Sequence, residues 1–335
     1  MDLKHFIGVD VSKATLDLVV CEQDNVVYQT QLENTKKSIA KVIKALRKLD
    51  GFSMNQSVFC MEHTGIYCHH LLDYLHQCKA NIWLESATRI KKSQGLTRGK
   101  DDSLDAARIS NYAFTHRNRL QLWHPGRNEI IKLKQLITMR DRLKNCLKRI
   151  QTPMEENKLF LDKEAIKLEK SLFKDSVKAL KKDLKSIEYC IDELIDQDPR
   201  LKQLFQLTTS VDGVGPITAI NIITVTNEFM NFTDPNKFAT YSGVAPFPNR
   251  SGTSLKGRMR VSHLANKKIK MLLHLAAMSS IKMKGELQDY YQRKVAEGKN
   301  KMSVLNAVRN KLIHRIFSVI KRQEMYSKNY DWAIA

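Results

Sequence analysis

From Asn128 to Asp198 the chain carries one proline, Pro153, and no glycine. A stretch that long with a single breaker predicts helix, and it divides the residues before it from those after it. Within it Phe173, Val177, Leu180, Leu184, Ile187, Ile191 and Leu194 recur at alternating spacings of 4 and 3. That pattern is a heptad seam and predicts a coiled coil. Leu133, Leu136, Leu143, Leu147 and Ile150 supply a partner helix, with the chain reversing near Pro153. An intramolecular hairpin would satisfy the same pattern. The unbroken seam and its Lys-rich flanks favour a protruding coiled coil that joins subunits.

Ahead of this region the apolar pattern changes. His5–Val11, Thr15–Cys21 and Val26–Leu32 are β-rich runs split by short polar turns such as Asp24-Asn25, which reads as an antiparallel meander. Residues 35–49 show a helical face at Ile39, Val42, Ile43 and Leu46. Strand Val58–Met61, helix Ile66–His76, strand Asn81–Leu84 and helix Ser103–Thr115 come next. The expected organisation is an α/β domain over 1–124, a helical coiled-coil and dimerisation region over 125–200, and a mainly helical domain over 201–335. In the last, Val211–Ile220 resembles the turn of a helix-hairpin-helix. Its Gly213 and Gly215 would let backbone N–H groups approach a phosphate, although an ordinary helix–helix turn explains them equally well.

Four carboxylates stand at the ends of the α/β elements. Asp10 lies in the first strand, Glu62 ends the fourth, and Asp102 and Asp105 share one face at the start of the last helix. Asp101 is an alternative to Asp102, which is preferred because it keeps the three-residue spacing to Asp105. Singly, each acid reads as a turn or cap residue. Together they are costly: two carboxylates about 5 Å apart repel by roughly 3 kcal/mol at an effective dielectric near 20. Mg²⁺, or Mn²⁺, would remove that penalty and activate a phosphodiester.

Charge narrows the partner. The 335 residues include 56 Lys and Arg against 35 Asp and Glu, a net +21. From Ser251 to Ala335 there are 18 basic residues against 5 acidic ones, so this quarter carries most of the surplus. A polyanion, nucleic acid, is the expected partner. No apolar run nears the roughly 18 residues of a spanning helix, and no signal-peptide core comes after Met1, so a cytoplasmic protein without a membrane partner is expected. The 6 cysteines show no metal-binding spacing and read as reduced residues, mostly core filler.

The segment from Tyr241 to Arg260 is rich in Gly and Pro and runs into basic residues. It reads as a positioned loop in which Ser251 is flanked by Arg250, Lys256, Arg258 and Arg260. A serine attacking phosphorus needs exposure and cations on the non-bridging oxygens, and both are on offer. Ser242, Ser254 and Ser262 compete for the role. Lys267, Lys268 and Lys270 extend the basic surface without an intervening acid.

The Gly-Val-Asp-Val-Ser-Lys start, Met61–Gly65, Lys100–Ala106 and the Gly243–Pro246, Arg250–Gly252 and Lys256–Arg258 motifs occur in order over nearly the full length. Together they resemble the insertion-sequence-110 family transposases and their Piv-type invertase relatives. The resemblance implies an RNase H-like, RuvC-like DEDD domain in which Asp10, Glu62, Asp102 and Asp105 bind divalent metal. It also implies that Ser251, in a C-terminal transposase domain, forms a phosphoserine link to DNA. A structured bridge RNA pairing with target and donor DNA, and a dimer or dimer of dimers, come with the family. Many relatives carry Ser immediately before the matching serine, where this chain has Arg250. Other readings are a Holliday-junction-type nuclease that uses water, and a nucleic-acid scaffold in which the acids are caps.

Overall fold

A computed structural model describes residues 2–23, 25–93, 102–251, 255–261 and 264–327, with the backbone alone at 102–103, 248–251 and 255–260. The chain forms two compact units, Met1–Pro125 and Gly126–Ala335.

The first unit is built on a five-stranded sheet of β1 (His5–Val11), β2 (Thr15–Glu22), β3 (Asn25–Glu33), β4 (Ser57–Glu62) and β5 (Asn81–Glu85). Their order is β3-β2-β1-β4-β5. The β1–β2 and β2–β3 pairs are antiparallel, whereas β1–β4 and β4–β5 are parallel. Side chains alternate across this sheet, so each strand feeds two cores. Ile7, Val9 and Val11 join Leu18, Phe59 and Met61 beneath α1 (Lys36–Leu46) and α2 (His69–Gln77). Phe6, Val58, Cys60 and Trp83 point the other way, toward Ile90 of α3 (Ala87–Ser93) and Ile109, Tyr112 and Ala113 of α4 (Asp102–Thr115).

Gly8 lets α4 lie on β1. A β-carbon there would fall within 2.9 Å of Ser110 Cα and closer still to Ala106 O and Ser110 N. The contact is closed by a buried hydrogen bond of 2.6 Å from Ser110 Oγ to Phe6 O. Glycine is needed here for space; its conformational freedom is not the issue.

The second unit begins with α5 (Asn128–Asn157) and α6 (Lys163–Gln197). Helix α5 runs through Pro153, and the reversal comes after Asn157, later than the proline predicts. Asp162 then caps α6 by accepting from Ala165 N at 2.7 Å. The C-terminal part of the α6 seam, Ile187, Ile191 and Leu194, packs into one core with Leu133, Leu136 and Ile137 of α5 in the same chain, whereas Phe173 is exposed. Arg140 donates through Nε to Glu188 Oε1 at 2.8 Å between the two helices. Ile130, Leu133, Ile137, Ile191 and Ile195 enter one hydrophobic core with the later helices, so the regions expected as 125–200 and 201–335 form one unit. Those helices are α7 (Pro199–Thr209), α8 (Pro216–Val225), α9 (Pro235–Tyr241), α10 (Lys267–Ser280), α11 (Glu286–Ala296) and α12 (Lys301–Arg322). Among the described residues no helix is long and apolar enough to cross a membrane.

The segment expected to be a serine loop is a two-stranded antiparallel ribbon, β6 (Phe247–Ser251) with β7 (Leu255–Arg260). The cysteines divide: Cys21, Cys60 and Cys68 are buried, but Cys146 and Cys190 are exposed on α5 and α6 and are not core filler.

Candidate active site

Strand alternation places Asp10 in step with Phe6 and Gly8, and Glu62 in step with Val58 and Cys60, so both lie on the α4 side of the sheet. The Gly8 contact fixes α4 at Ala106 and Ser110, and Asp105 lies beside Ala106 on that helix. The Asp105 charge acts on Glu62. Burial pushes the Glu62 carboxyl above its ordinary range, Lys91 on α3 opposes the shift, and the Asp105 charge adds to it. Arg108 donates to Asp105 Oδ1 at 2.7 Å. Asp102 is the first residue of α4, its side chain lies outside the described residues, and so does Asp101.

Two acids that sequence reasoning missed share this face. Asp17 pairs with Asp10 across β1–β2 and is buried, with both oxygens held by Gln31 Nε2 at 3.0 and 3.2 Å. Glu85 pairs with Glu62 across β4–β5 and is engaged internally, accepting from Ser86 N at 2.7 Å and Tyr112 Oη at 3.0 Å. Burial, and then the Glu85 bond, push the Tyr112 hydroxyl up to about 12. Only the strand register, which a local pattern does not give, could have revealed either acid. The carboxylates of Asp10, Asp17, Glu62 and Glu85 on this face offer hard oxygen donors, the type that suits Mg²⁺ or Mn²⁺. Among the described residues, however, no three His, Cys, Asp or Glu side chains converge closely enough to hold an ion.

In the second unit, Ser251 is the last residue of β6 and pairs with Leu255. Arg250 pairs with Lys256, and Arg258 and Arg260 lie further along β7. Ser242 is fully buried, caps α9 and donates to Phe238 O, which removes it as a nucleophile. Ser254 and Ser262 lie outside the described residues. The ribbon is anchored at its root: Asn266 N donates to Tyr241 O at 2.8 Å, and Asn306 Nδ2 donates to Val244 O at 2.7 Å.

The expected basic surface is only partly a surface. Lys267 is exposed and Lys270 half-buried, but Lys268 is ion-paired with Asp141 of α5. Arg315 is buried and paired with Glu286. Gly213 has a φ of +88°, and a β-carbon there would meet Ala276 O at 2.6 Å, so its role is to admit α10 against the turn. Gly215 opens α8 with space around it.

Residues 7–157 match a family model for the DEDD transposases of the IS110 type, described as transposase. That match defines a DEDD-type transposase domain, most of which falls in the first unit and which continues into α5. Residues 206–292 match the model of the transposase IS116/IS110/IS902 family. The chain is 22% identical over 329 residues to a pilin gene-inverting protein of Moraxella lacunata, covering 97% of this chain and 98% of that one. The pilin gene-inverting protein of Moraxella bovis matches over the same span at 22%. A 43.6 kDa insertion element IS110 protein of Streptomyces coelicolor is 26% identical over 151 residues, covering 45% of this chain and 36% of that one. The chain belongs to the IS110/IS116/IS902 family of transposases and is a DNA recombinase.

Proposed function

We propose that this transposase excises and inserts a mobile element, or inverts a DNA segment, by strand cleavage and rejoining through a serine ester. The observation that supports the reading is that Asp10 and Glu62 lie on the α4 side of the first sheet, where the charge of Asp105 on α4 acts on Glu62. Asp10, Glu62, Asp102 and Asp105 are the residues that would hold a divalent cation. When bound, that ion supplies Lewis-acid polarisation of a phosphodiester.

Ser251 Oγ is the nucleophile. Its bond to phosphorus forms as the bond from phosphorus to a bridging nucleotide oxygen breaks. The serine loses a proton and the departing oxygen gains one, so a DNA hydroxyl is released. Rejoining is the reverse step with a different hydroxyl. One phosphodiester replaces another, so no outside energy source is needed. Arg250, Lys256, Arg258 and Arg260 neutralise the non-bridging oxygens.

The net +21 supports a second polyanion beside DNA, a bridge RNA that pairs with the donor and target. Exposed Leu159, Phe160, Leu168 and Leu172 at the far end of the α5–α6 hairpin support a homo-oligomer, a dimer or dimer of dimers.

The test is denaturing electrophoresis after incubation with element-end DNA. Wild type should leave DNA attached to protein. Ser251→Ala should leave none while still binding DNA, and Asp10→Asn should abolish cleavage. A Ser251→Ala protein that forms the adduct would refute the serine assignment. Cleavage by wild type without any adduct would make the protein a hydrolytic junction nuclease.

A further inference from the structure

Three arginines are buried among the described residues: Arg140, Arg309 and Arg315. Two have carboxylate partners, Glu188 and Glu286. Arg309, only 6% exposed on α12, has none. Its Nη1 reaches Asn306 Oδ1 at 3.3 Å, its Nη2 lies 2.7 Å from His274 Nδ1 on α10, and its Nε has no partner. Burial alone acts on this guanidinium, pulling its pKa down, with no acid to offset the cost. An uncompensated buried cation is strongly unfavourable, so it calls for an anion from outside the fold.

The geometry says how the charge reaches the surface. A guanidinium only donates, so His274 Nδ1 accepts and the ring proton sits on Nε2. Burial, and then the Arg309 charge, hold the His274 pKa below its ordinary value, so the ring is neutral at neutral pH. His274 is half-exposed. Lys267, Lys270 and His274 recur at helical spacing along α10 and share one stripe, flanked by exposed Met271. The stripe therefore offers two ammonium groups and one N–H donor with a positive charge behind it. At its other end the network reaches the ribbon, because the same Asn306 that accepts from Arg309 donates to Val244 O at the ribbon root.

We propose that His274, backed by Arg309, is a binding site for a backbone phosphate of nucleic acid, and that Asn306 couples it to the root of the β6–β7 ribbon. The ligand class rests on the DNA-recombinase reading; the anion site itself does not. Ser251 lies four residues beyond Phe247, about 13 Å along the strand.

Two measurements on the full chain test it. In the first, ¹⁵N-histidine spectra are followed while inorganic phosphate is added. The His274 resonances should shift and saturate in wild type and stay fixed in Arg309→Gln. An unmoved His274 in wild type overturns the site whatever the protein does with DNA. In the second, DNA affinity is measured against salt. His274→Ala, which removes the N–H donor, should bind roughly tenfold more weakly, and Arg309→Gln, which removes the charge behind the ring, should make the slope shallower by about 0.9 for duplex DNA. A folded His274→Ala protein with wild-type affinity overturns the proposal. Should Arg309→Gln fail to fold, Arg309→Lys replaces it and should weaken the phosphate response, because an ammonium cannot hold His274 and Asn306 together. Ser251→Ala should keep the wild-type slope while losing the covalent adduct, so failure of the serine assignment is read separately.

Discussion

Replacing Gly8 by alanine adds one methyl group where α4 crosses β1. The atoms it meets are Ala106 O, Ser110 N and Ser110 Cα, all backbone, so no side-chain rotation can make room. Carbon–carbon contacts settle at about 3.5–4.0 Å, and Ser110 Cα would stand at 2.9 Å, so α4 must retreat by about 1 Å. That movement stretches the 2.6 Å bond from Ser110 Oγ to Phe6 O, which is buried. Overpacking of this kind costs about 1–3 kcal/mol, and leaving a buried hydrogen-bonding group unsatisfied adds about 1–3 kcal/mol. A loss of about 3–5 kcal/mol is expected in urea unfolding of the first unit. Protein that remains folded should cleave about 100-fold more slowly, because Asp105 travels with α4 and a displacement of about 1 Å in a catalytic group has that scale of effect. Ser110→Ala, which removes the bond without a clash, should cost about 1–2 kcal/mol. Combined with Gly8→Ala it should rescue nothing, since the obstruction is backbone. Wild-type stability and cleavage in Gly8→Ala would refute the account of how α4 is seated.

Two further substitutions probe the second unit. Arg127 donates through Nε and Nη2 to the Glu228 carboxylate at 2.9 Å and through both Nη atoms to Asp198 at 2.8 and 3.0 Å, and Glu228 is buried. Arg127→Ala should destabilise the unit by about 2–3 kcal/mol, discounted because the arginine is 40% exposed, and Arg127→Lys should recover only part; an unchanged denaturation midpoint would show that the clasp contributes nothing. Leu168 and Leu172 are 60% and 70% exposed on α6, so replacing both with Asp should leave stability unaltered and reduce the particle mass by light scattering if the hairpin joins subunits; the wild-type mass would place any subunit contact elsewhere.

The first unit is legible in the sequence because each strand advertises itself locally. Its β-branched and apolar runs are short, bounded by polar turns, and begin and end within a residue or two of β1 to β5. The face on which Asp10 and Glu62 lie is legible for the same reason: alternation fixes it once the strand is known. Helix α3 escapes the pattern, since its seven residues bury only Ile90 and give no period to detect. Pro153 misleads in the other direction. A proline predicts a helix end, but within α5 it removes one backbone bond near an exposed end, and the helix continues to Asn157. The heptad spacing identifies the apolar face of α6; which chain that face packs against depends on α5, remote in sequence from much of the seam.

Gly and Pro depress strand propensity, which is why the sequence around Ser251 reads as a loop. That rule applies to a strand with neighbours on both sides. In a two-stranded ribbon every residue has one free edge, and Pro248 falls where the register slips between the Phe247–Arg260 and Asn249–Gly257 pairs, so no ladder donor is missing. Such a ribbon has no core of its own to specify it and is marginal by itself. The contacts that hold it are remote in sequence: Asn266, beyond β7, grips Tyr241, and Asn306 grips Val244, both on the stretch that leads into β6. Neither contact leaves a trace in the local pattern around Ser251. The consequence for the proposed chemistry is physical. A serine in a free loop would sample many positions before each attack. Ser251 is paired with Leu255, so its backbone orientation is set by β7.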